Sequence, residues 1–384
     1  MFKKSLLLNA LAVLAAPLLV LGTVELALRR SGFENRCESE VPVIWSTSQD
    51  KELASGAGMY GFESHQLWSP RPGALIPWTN GERINPDGYR GPQINIERPK
   101  GSLRVAMLGS AAVLGVGVRW EDTFSSLTAR FLTESTMPTE VLCAGVQDFT
   151  VRQSLERYRD LVRPYRPHIV VLSISEGLSI LQAPSGLTDD QKIALLSTSS
   201  EAACIAARTG HRLRLLDLAS WMRDAIAGEH WEERELEFQR LRLEPTVGSL
   251  DWPGVRRVPI DDFYHSLSEL LQETRQDGAH LILLSIPRSP VRPEMQVLDV
   301  YARTVLEFCE REKVIHLDAR NAYMQAMRED IPKEDLFHDD LYPSACGHLQ
   351  LATALTDVIA RGITAKTGKS PAAETKPNES ASQR

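Results

Sequence analysis

Hydrophobic positions along this chain fall into three regimes. From Leu6 to Val24 they are almost continuous, interrupted only by Asn9 and Thr23. From Gly56 to Lys100 they are scattered among Pro, Gly and Trp, in runs such as WSPRPG and INPDGYRGP, with turns at Pro86-Asp87-Gly88 and Gly91-Pro92. Beyond Gly101 short apolar runs alternate with amphipathic stretches. RVAML (Arg104–Leu108) reads as a strand, followed by a Gly-rich turn and a helix from about Asp122 to Glu134. VLCAGV (Val141–Val146) reads as the next strand, and Gln153 to Val162 as a helix stopped by Pro164. HIVVLSIS (His168–Ser175) is β-branched and nearly continuous in apolar residues, which marks a strand covered on both faces. A charged helical stretch from about Thr188 to Gly248 reads as an insertion packed over the sheet. A helix over Asp261–Thr274, the strand HLILLSI (His280–Ile286), a helix over Val297–Arg311, the strand VIHLD (Val314–Asp318) and a closing helix over Gly347–Ile363 complete the series. Strands alternating with helices predict a parallel, doubly wound sheet.

These regimes set the expected domains: an anchor over 1–30, an irregular wrapping segment over 31–100, and an α/β domain over 101–363 carrying the insertion at about 188–248. A tail over 364–384, rich in Pro, Ser, Ala, Lys and Glu without apolar period, is expected to be disordered. As a helix, Leu6–Val24 spans roughly 28 Å, about the hydrocarbon thickness of a bilayer. A cleaved signal peptide is the alternative, but Ala10-Leu11-Ala12 comes too early and Ala15-Ala16 runs into Pro17. An uncleaved membrane anchor with an extracytoplasmic domain is therefore the expectation. Arg29 and Arg30 nearly balance Lys3 and Lys4, so charge leaves the orientation open.

Composition changes the picture only a little. The 384 residues are 43% hydrophobic and 24% charged, ordinary for a globular chain with one sizeable core. The formal charge of −7, with basic residues scattered, argues against a nucleic-acid partner. Five cysteines (Cys37, Cys143, Cys204, Cys309, Cys346) show no metal-ligand spacing. Cys143 and Cys309 sit inside apolar runs and read as small buried hydrophobes. No cofactor is implied.

Several short blocks between about Gly81 and Ala360 together resemble the SGNH (GDSL-type) ester hydrolases, in particular the membrane-anchored branch of bacterial envelopes. They are INPDGYRGP before the domain, RVAMLGSAAVLGVGVRWEDTF at the first strand and turn, CAGVQDFTVRQ, RPHIVVLSISEGL, and DDLYPSACGHLQLA near the end. The resemblance implies a three-layer α/β/α sandwich, flavodoxin-like, with a parallel sheet of about five strands. In that family a serine on the turn after the first strand attacks an ester carbonyl. A histidine takes its proton, an aspartate three residues earlier orients the histidine, and backbone N–H groups with an asparagine hold the oxyanion.

Against that pattern the departures are specific. LGSAAVLG places Ser110 where an aspartate usually stands and Ala111 at the nucleophile. Gly177, or Glu176 if the register slips by one, replaces the oxyanion asparagine. Cys143 replaces another asparagine, although Gly145 is kept, and Asp148 replaces a glycine. In the last block Asp339 matches the aspartate, but Tyr342 stands at the histidine, with Pro343 and Gly347-His348 fixing the register. The expected pocket thus gathers Ser110, Ala111, Gly145, Glu176, Gly177, Asp339 and Tyr342 at the carboxyl ends of the strands.

Neighbours that would rescue catalysis are Ser110, His338 and His348; the plainer roles are a helix-capping hydroxyl, an exposed loop histidine and a histidine supporting the turn before the closing helix. Tyr342, as a phenol, is a poor general base at neutral pH. Glu176, Asp148, Asp339 and Asp340 match no known metal loop, and no metal is expected. Trp68, Trp78 and Trp120 read either as a sugar-binding groove or as anchors of the wrapping segment. Three functions remain open: a non-catalytic domain binding an acylated glycan or lipid, an O-acyl esterase or acyltransferase working through Ser110, and a structural partner in an envelope complex.

Overall fold

The computed structural model describes residues 19–31, 59–63, 65–174, 188–198, 254–286, 296–338 and 342–367, with single positions at 17, 215, 218, 219, 222 and 226. Regular structure after the N-terminal helix begins with an antiparallel hairpin, β1 (Tyr60–Glu63) and β2 (Leu67–Pro70). The expectation of a wholly irregular segment is corrected here. Alternation is masked in the sequence by Pro, Gly and Trp, and the pairing is held by burial of Tyr60, Leu67 and Trp68.

Five further strands form one parallel sheet: β3 (Leu103–Leu108), β4 (Thr139–Cys143), β5 (Ile169–Ile174), β6 (His280–Ser285) and β7 (Ile315–Asp318). Their spatial order is β4-β3-β5-β6-β7. The helices are α1 (Ala111–Leu114), α2 (Phe124–Ser135), α3 (Val151–Arg157), α4 (Asp189–Thr198), α5 (Ile260–Gln276), α6 (Gln296–Glu312), α7 (Arg320–Arg328), α8 (Lys333–Leu336) and α9 (Ala345–Thr367).

Successive residues of each central strand enter opposite cores, as the two-residue strand period requires. Ala106, Leu108, Val170, Leu172, Leu281 and Leu283 meet α3, α5 and α6. Val105, Met107, Val171, Ile282 and Leu284 meet α2, α7 and α9. The chain is therefore a three-layer α/β/α sandwich, and burial on both faces explains why its strands read as continuous apolar runs. Truncating one such core leucine to alanine costs about 2–5 kcal/mol.

Helix boundaries are set by caps that periodicity does not show. α2 starts two residues later than expected because Thr123 is its N-cap, its hydroxyl accepting from Ser126 N. At α3 a capping box joins Thr150 and Gln153. α3 passes at Tyr158 into a single π turn, so the expected single helix to Val162 is two pieces, and a 3₁₀ turn containing Pro164 follows it. α7 and α8, between β7 and the closing helix, were not anticipated. They are short, and α7 buries only Tyr323 and Ala326.

The described part of the N-terminal helix exposes Leu19, Val20, Leu21 and Leu26. Most of the predicted anchor, and the tail after 367, lie outside the described residues. Among the described residues no helix is long and apolar enough to cross a membrane. Of the predicted insertion, α4 is helical as expected and most of the remainder to 248 is likewise outside.

Candidate functional site

β4 and β5 flank β3 on opposite sides, so the chain departs in opposite directions from the carboxyl ends of β3 and β5. Such a switch point is where open α/β sheets hold ligands. The turn leaving β3 is tight. Gly109 has φ +138°, and a Cβ there would lie 2.7 Å from Ser173 O on β5. Only glycine allows that approach. The next turn along is equally close: a Cβ on Gly145 would fall 2.5 Å from Leu114 N, and Val146 N donates to Gly109 O at 3.0 Å.

Ser110 precedes α1 in extended conformation, and Ala111 is the first residue of that single helical turn. Both are buried, at 7% and 4% exposure. Ala111 offers no nucleophile. The expected capping by the Ser110 hydroxyl is corrected: the main-chain carbonyl of Ser110 accepts from Val113 N (3.0 Å) and Leu114 N (3.1 Å), while its side chain makes no cap bond. Among the described residues the hydroxyl has no hydrogen-bond partner. Cys143 is fully buried and donates its Sγ–H to Val113 O at 3.1 Å. Burial raises its pKa, so it stays a thiol and not a nucleophile.

The hairpin lies over this turn. Tyr60, Trp68, Ile76 and Ile84 form one apolar cluster with Leu114, Val146 and Phe149. Trp68 Nε1 donates to Gln147 O at 3.2 Å, and Gln147 N donates to Tyr60 Oη at 3.4 Å. Burial pushes the Tyr60 phenol well above its ordinary value. Three buried arginines fasten the cover. Arg90 donates to Leu114 O (2.8 Å), Gly115 O (2.7 Å) and Val118 O (2.8 Å) and pairs with Glu82 at 2.6 Å. Arg157 donates to Gly88 O at 2.6 Å, and burial lowers its pKa to about 10, leaving it cationic. Arg257 pairs with Asp189 at 2.9 Å, donates to Gln153 Oε1 (2.7 Å) and Asp148 O (3.0 Å), and stacks over Trp68. None of these fasteners was singled out from sequence.

The tryptophans follow the same logic. Trp68 and Trp78 spend their indole N–H groups on main-chain carbonyls, Trp78 on Gly115 O at 2.9 Å. Trp120 covers Gly91, where a Cβ would sit 2.6 Å from its ring. Trp68 and Trp78 are thereby tied to the α/β domain as anchors of the segment. Among the described residues an open groove of about 710 Å³ lies at the opposite, amino end of the strands, between residues 93–99 and Tyr165.

Among the described residues of the last block, no histidine is hydrogen-bonded to Ser110. Tyr342 is half-buried, its carbonyl accepting from His338 N at 2.9 Å, and its phenol lies within electrostatic reach of Tyr60. His338 is exposed and packs its ring against Gly117, where a Cβ would fall 2.7 Å away. His348 is fully buried; its Nδ1 accepts from Phe124 N at 3.1 Å and its ring stacks on Phe124. Burial, with Arg90 and His338 adding, lowers its pKa to about 3. It is a neutral cap for α2, correcting its expected role at the preceding turn, and no general base. Asp148 is buried at φ +58°, with its carbonyl held by Arg257. Glu176, Gly177, Asp339 and Asp340 lie outside the described residues. Among the described residues no group of three or more His, Cys, Asp or Glu is arranged to hold a metal ion.

No protein-family model matches the chain, and no curated protein does. Solved structures similar to it are esterases and hydrolases. One, described as a lipolytic protein of the G-D-S-L family from Desulfitobacterium hafniense DCB-2, is 13% identical with a TM-score of 0.40, over 66% of this chain and 98% of that one. An acetylxylan esterase from Geobacillus stearothermophilus is 16% identical with a TM-score of 0.42, over 67% and 95%. An α/β hydrolase from the metagenome of Lake Arreo, Spain, is 14% identical with a TM-score of 0.41, over 69% and 97%. Likeness at this level assigns no activity, which rests on the side chains of the site.

Proposed function

We propose that this chain is a membrane-anchored, extracytoplasmic hydrolase-like domain whose family catalytic centre is retired, and which acts by binding. The observation that carries the proposal is Ala111 at the head of α1, without nucleophile and buried at 4% exposure, three residues before Leu114, on which Tyr60 and Trp68 pack. The Ser110 hydroxyl without partner, the thiol of Cys143 turned to Val113 O, and His348 committed to Phe124 N support the same conclusion. A cover held by three buried arginines suits a permanent lid better than a substrate entrance. The Leu6–Val24 run and the exposed Leu19, Val20, Leu21 and Leu26 support the anchor. The ligand class suggested by the resemblance is an acylated glycan or lipid, with an envelope protein complex as the other partner to seek.

The test is covalent. Full-length protein in detergent is treated with a serine-directed fluorophosphonate, digested and mapped by mass spectrometry. The expected result is no adduct on the peptide carrying Ser110. An adduct there, lost in Ser110→Ala, overturns the proposal and makes the chain an esterase with a displaced nucleophile. The binding half is measured by calorimetry with an O-acetylated oligosaccharide. Heat of binding in the unlabelled protein is expected, and its absence removes the glycan as ligand class.

A further inference from the structure

The motif blocks do not include the carboxyl end of β6 or the strand β7, yet these bring a hydroxyl and an imidazole together. Ser285 is the last residue of β6, and His316 lies on the neighbouring parallel strand β7. The register sets Leu283 opposite His316 and Ser285 opposite Asp318, so all four side chains share one face of the sheet. Ser285 Oγ and His316 Nε2 are 3.0 Å apart. Both residues are half-buried. The position is at the carboxyl edge of the sheet, the edge that presents ligands in this architecture. Ala319 N donates to Ser285 O at 3.0 Å, fixing the backbone from which the serine projects.

The surroundings suit proton transfer. Burial, partly offset by Asp318, holds the His316 pKa below its ordinary value, so the imidazole is neutral at pH 7 and able to accept a proton. Asp318 is itself engaged by Arg320, through Nε (2.8 Å), Nη2 (2.5 Å) and the backbone N–H (3.0 Å). It therefore contributes a fixed negative charge near the imidazole and does not compete for the proton. This pairing is what Ser110 lacks.

We propose that Ser285 and His316 form a second, separate nucleophilic site, one that accepts acyl groups from small esters such as acetyl esters. The Ser285 Oγ–H proton passes to His316 Nε2 as Oγ bonds to the acyl carbon. The tetrahedral intermediate collapses with loss of the alkoxide, which takes the proton back from His316. Water, deprotonated by the same imidazole, then attacks the acyl-serine and releases the carboxylic acid, regenerating the Ser285 hydroxyl. Ester and water give acid and alcohol, with nothing else required. The site stands two strands away from Ala111 and does not depend on what happens there.

The experiment is the same fluorophosphonate labelling of the full chain, read at a different peptide. An adduct on Ser285 is expected. It vanishes in Ser285→Ala and forms at least 10²-fold more slowly in His316→Gln, the usual contribution of a positioned base. Both substitutions are at half-exposed positions, and circular dichroism checks that each variant is folded. Wild type should also release p-nitrophenol from p-nitrophenyl acetate, at a rate that Ser285→Ala lowers to the buffer background. No adduct at Ser285 in folded protein overturns the proposal while leaving the reading of Ala111 intact. Labelling at Ser285 that His316→Gln leaves unchanged also overturns it, since the serine would then react without the imidazole. An adduct confined to Ser110 overturns both.

Discussion

Ser110 follows β3 and Ser285 ends β6, so the two serines stand two strands apart at the same edge of one sheet. Their surroundings differ in three ways. Ser110 is 7% exposed, whereas Ser285 is half-buried. The hydroxyl of Ser110 meets no partner among the described residues, whereas that of Ser285 is 3.0 Å from an imidazole. The turn after Ser110 is held by Arg90 through Leu114 O and Gly115 O, whereas Ser285 O accepts from Ala319 N at the start of α7. The lesson is that one sheet edge can hold two hydroxyls in different settings. After β3 the turn is tight and the carbonyl of Ser110 accepts from Leu114 N, a residue packed with Tyr60 and Trp68; at the end of β6 the hydroxyl meets an imidazole.

That contrast can be broken or sharpened by experiment, and the largest effect is expected at the cover. Arg90→Ala leaves three main-chain carbonyls and Glu82 without their buried cation, and should cost about 3–5 kcal/mol of stability in urea unfolding. A loss under 1 kcal/mol would mean the cover is not fastened as described. Labelling at Ser285 should survive this change in whatever fraction remains folded.

The next effect is a dependence on acidity. His348 titrates near 6.5 when unfolded and at about 3 when folded. The unfolded chain therefore binds the extra proton first. The contribution of His348 is fully present above pH 6.5 and is lost as pH falls from there towards 3, at up to about 1.4 kcal/mol per pH unit. His348→Leu should flatten that part of the stability–pH curve relative to wild type. Parallel curves would place the protonation elsewhere.

Smaller still is Gly145→Ala. The added methyl meets Leu114 N and Val113, and overpacking of this kind costs about 1–3 kcal/mol. Thermal unfolding measures it, and a neutral outcome would show that the two turns can separate. The smallest effect belongs to Ser110→Ala, expected to lie within about 0.5 kcal/mol because no hydrogen bond is lost. A larger loss would reveal a bond that the capping geometry does not contain.

Much of this protein was determined by local sequence. The strands β3, β5 and β6 are legible within a residue or two because burial on both faces leaves an unbroken apolar run, and the edge strand β7 is legible from the short VIHLD stretch. That Ser110 and Ala111 stand on the tight turn after β3 was legible too, because the glycine at 109 marks the turn. What only the tertiary structure decided are pairings across long separations. Trp68 meets Gln147 across 79 residues, and Phe124 meets His348 across 224. The hairpin's role as a lid, the use of His348 as a cap and the contact between Ser285 and His316 all depend on strand register and on which layer each helix joins. Periodicity tells a residue's face and burial, but it carries no information about which distant partner the same face will meet. That choice is made by the packing of the whole sheet, where a shift of one residue turns every side chain of a strand to the other side.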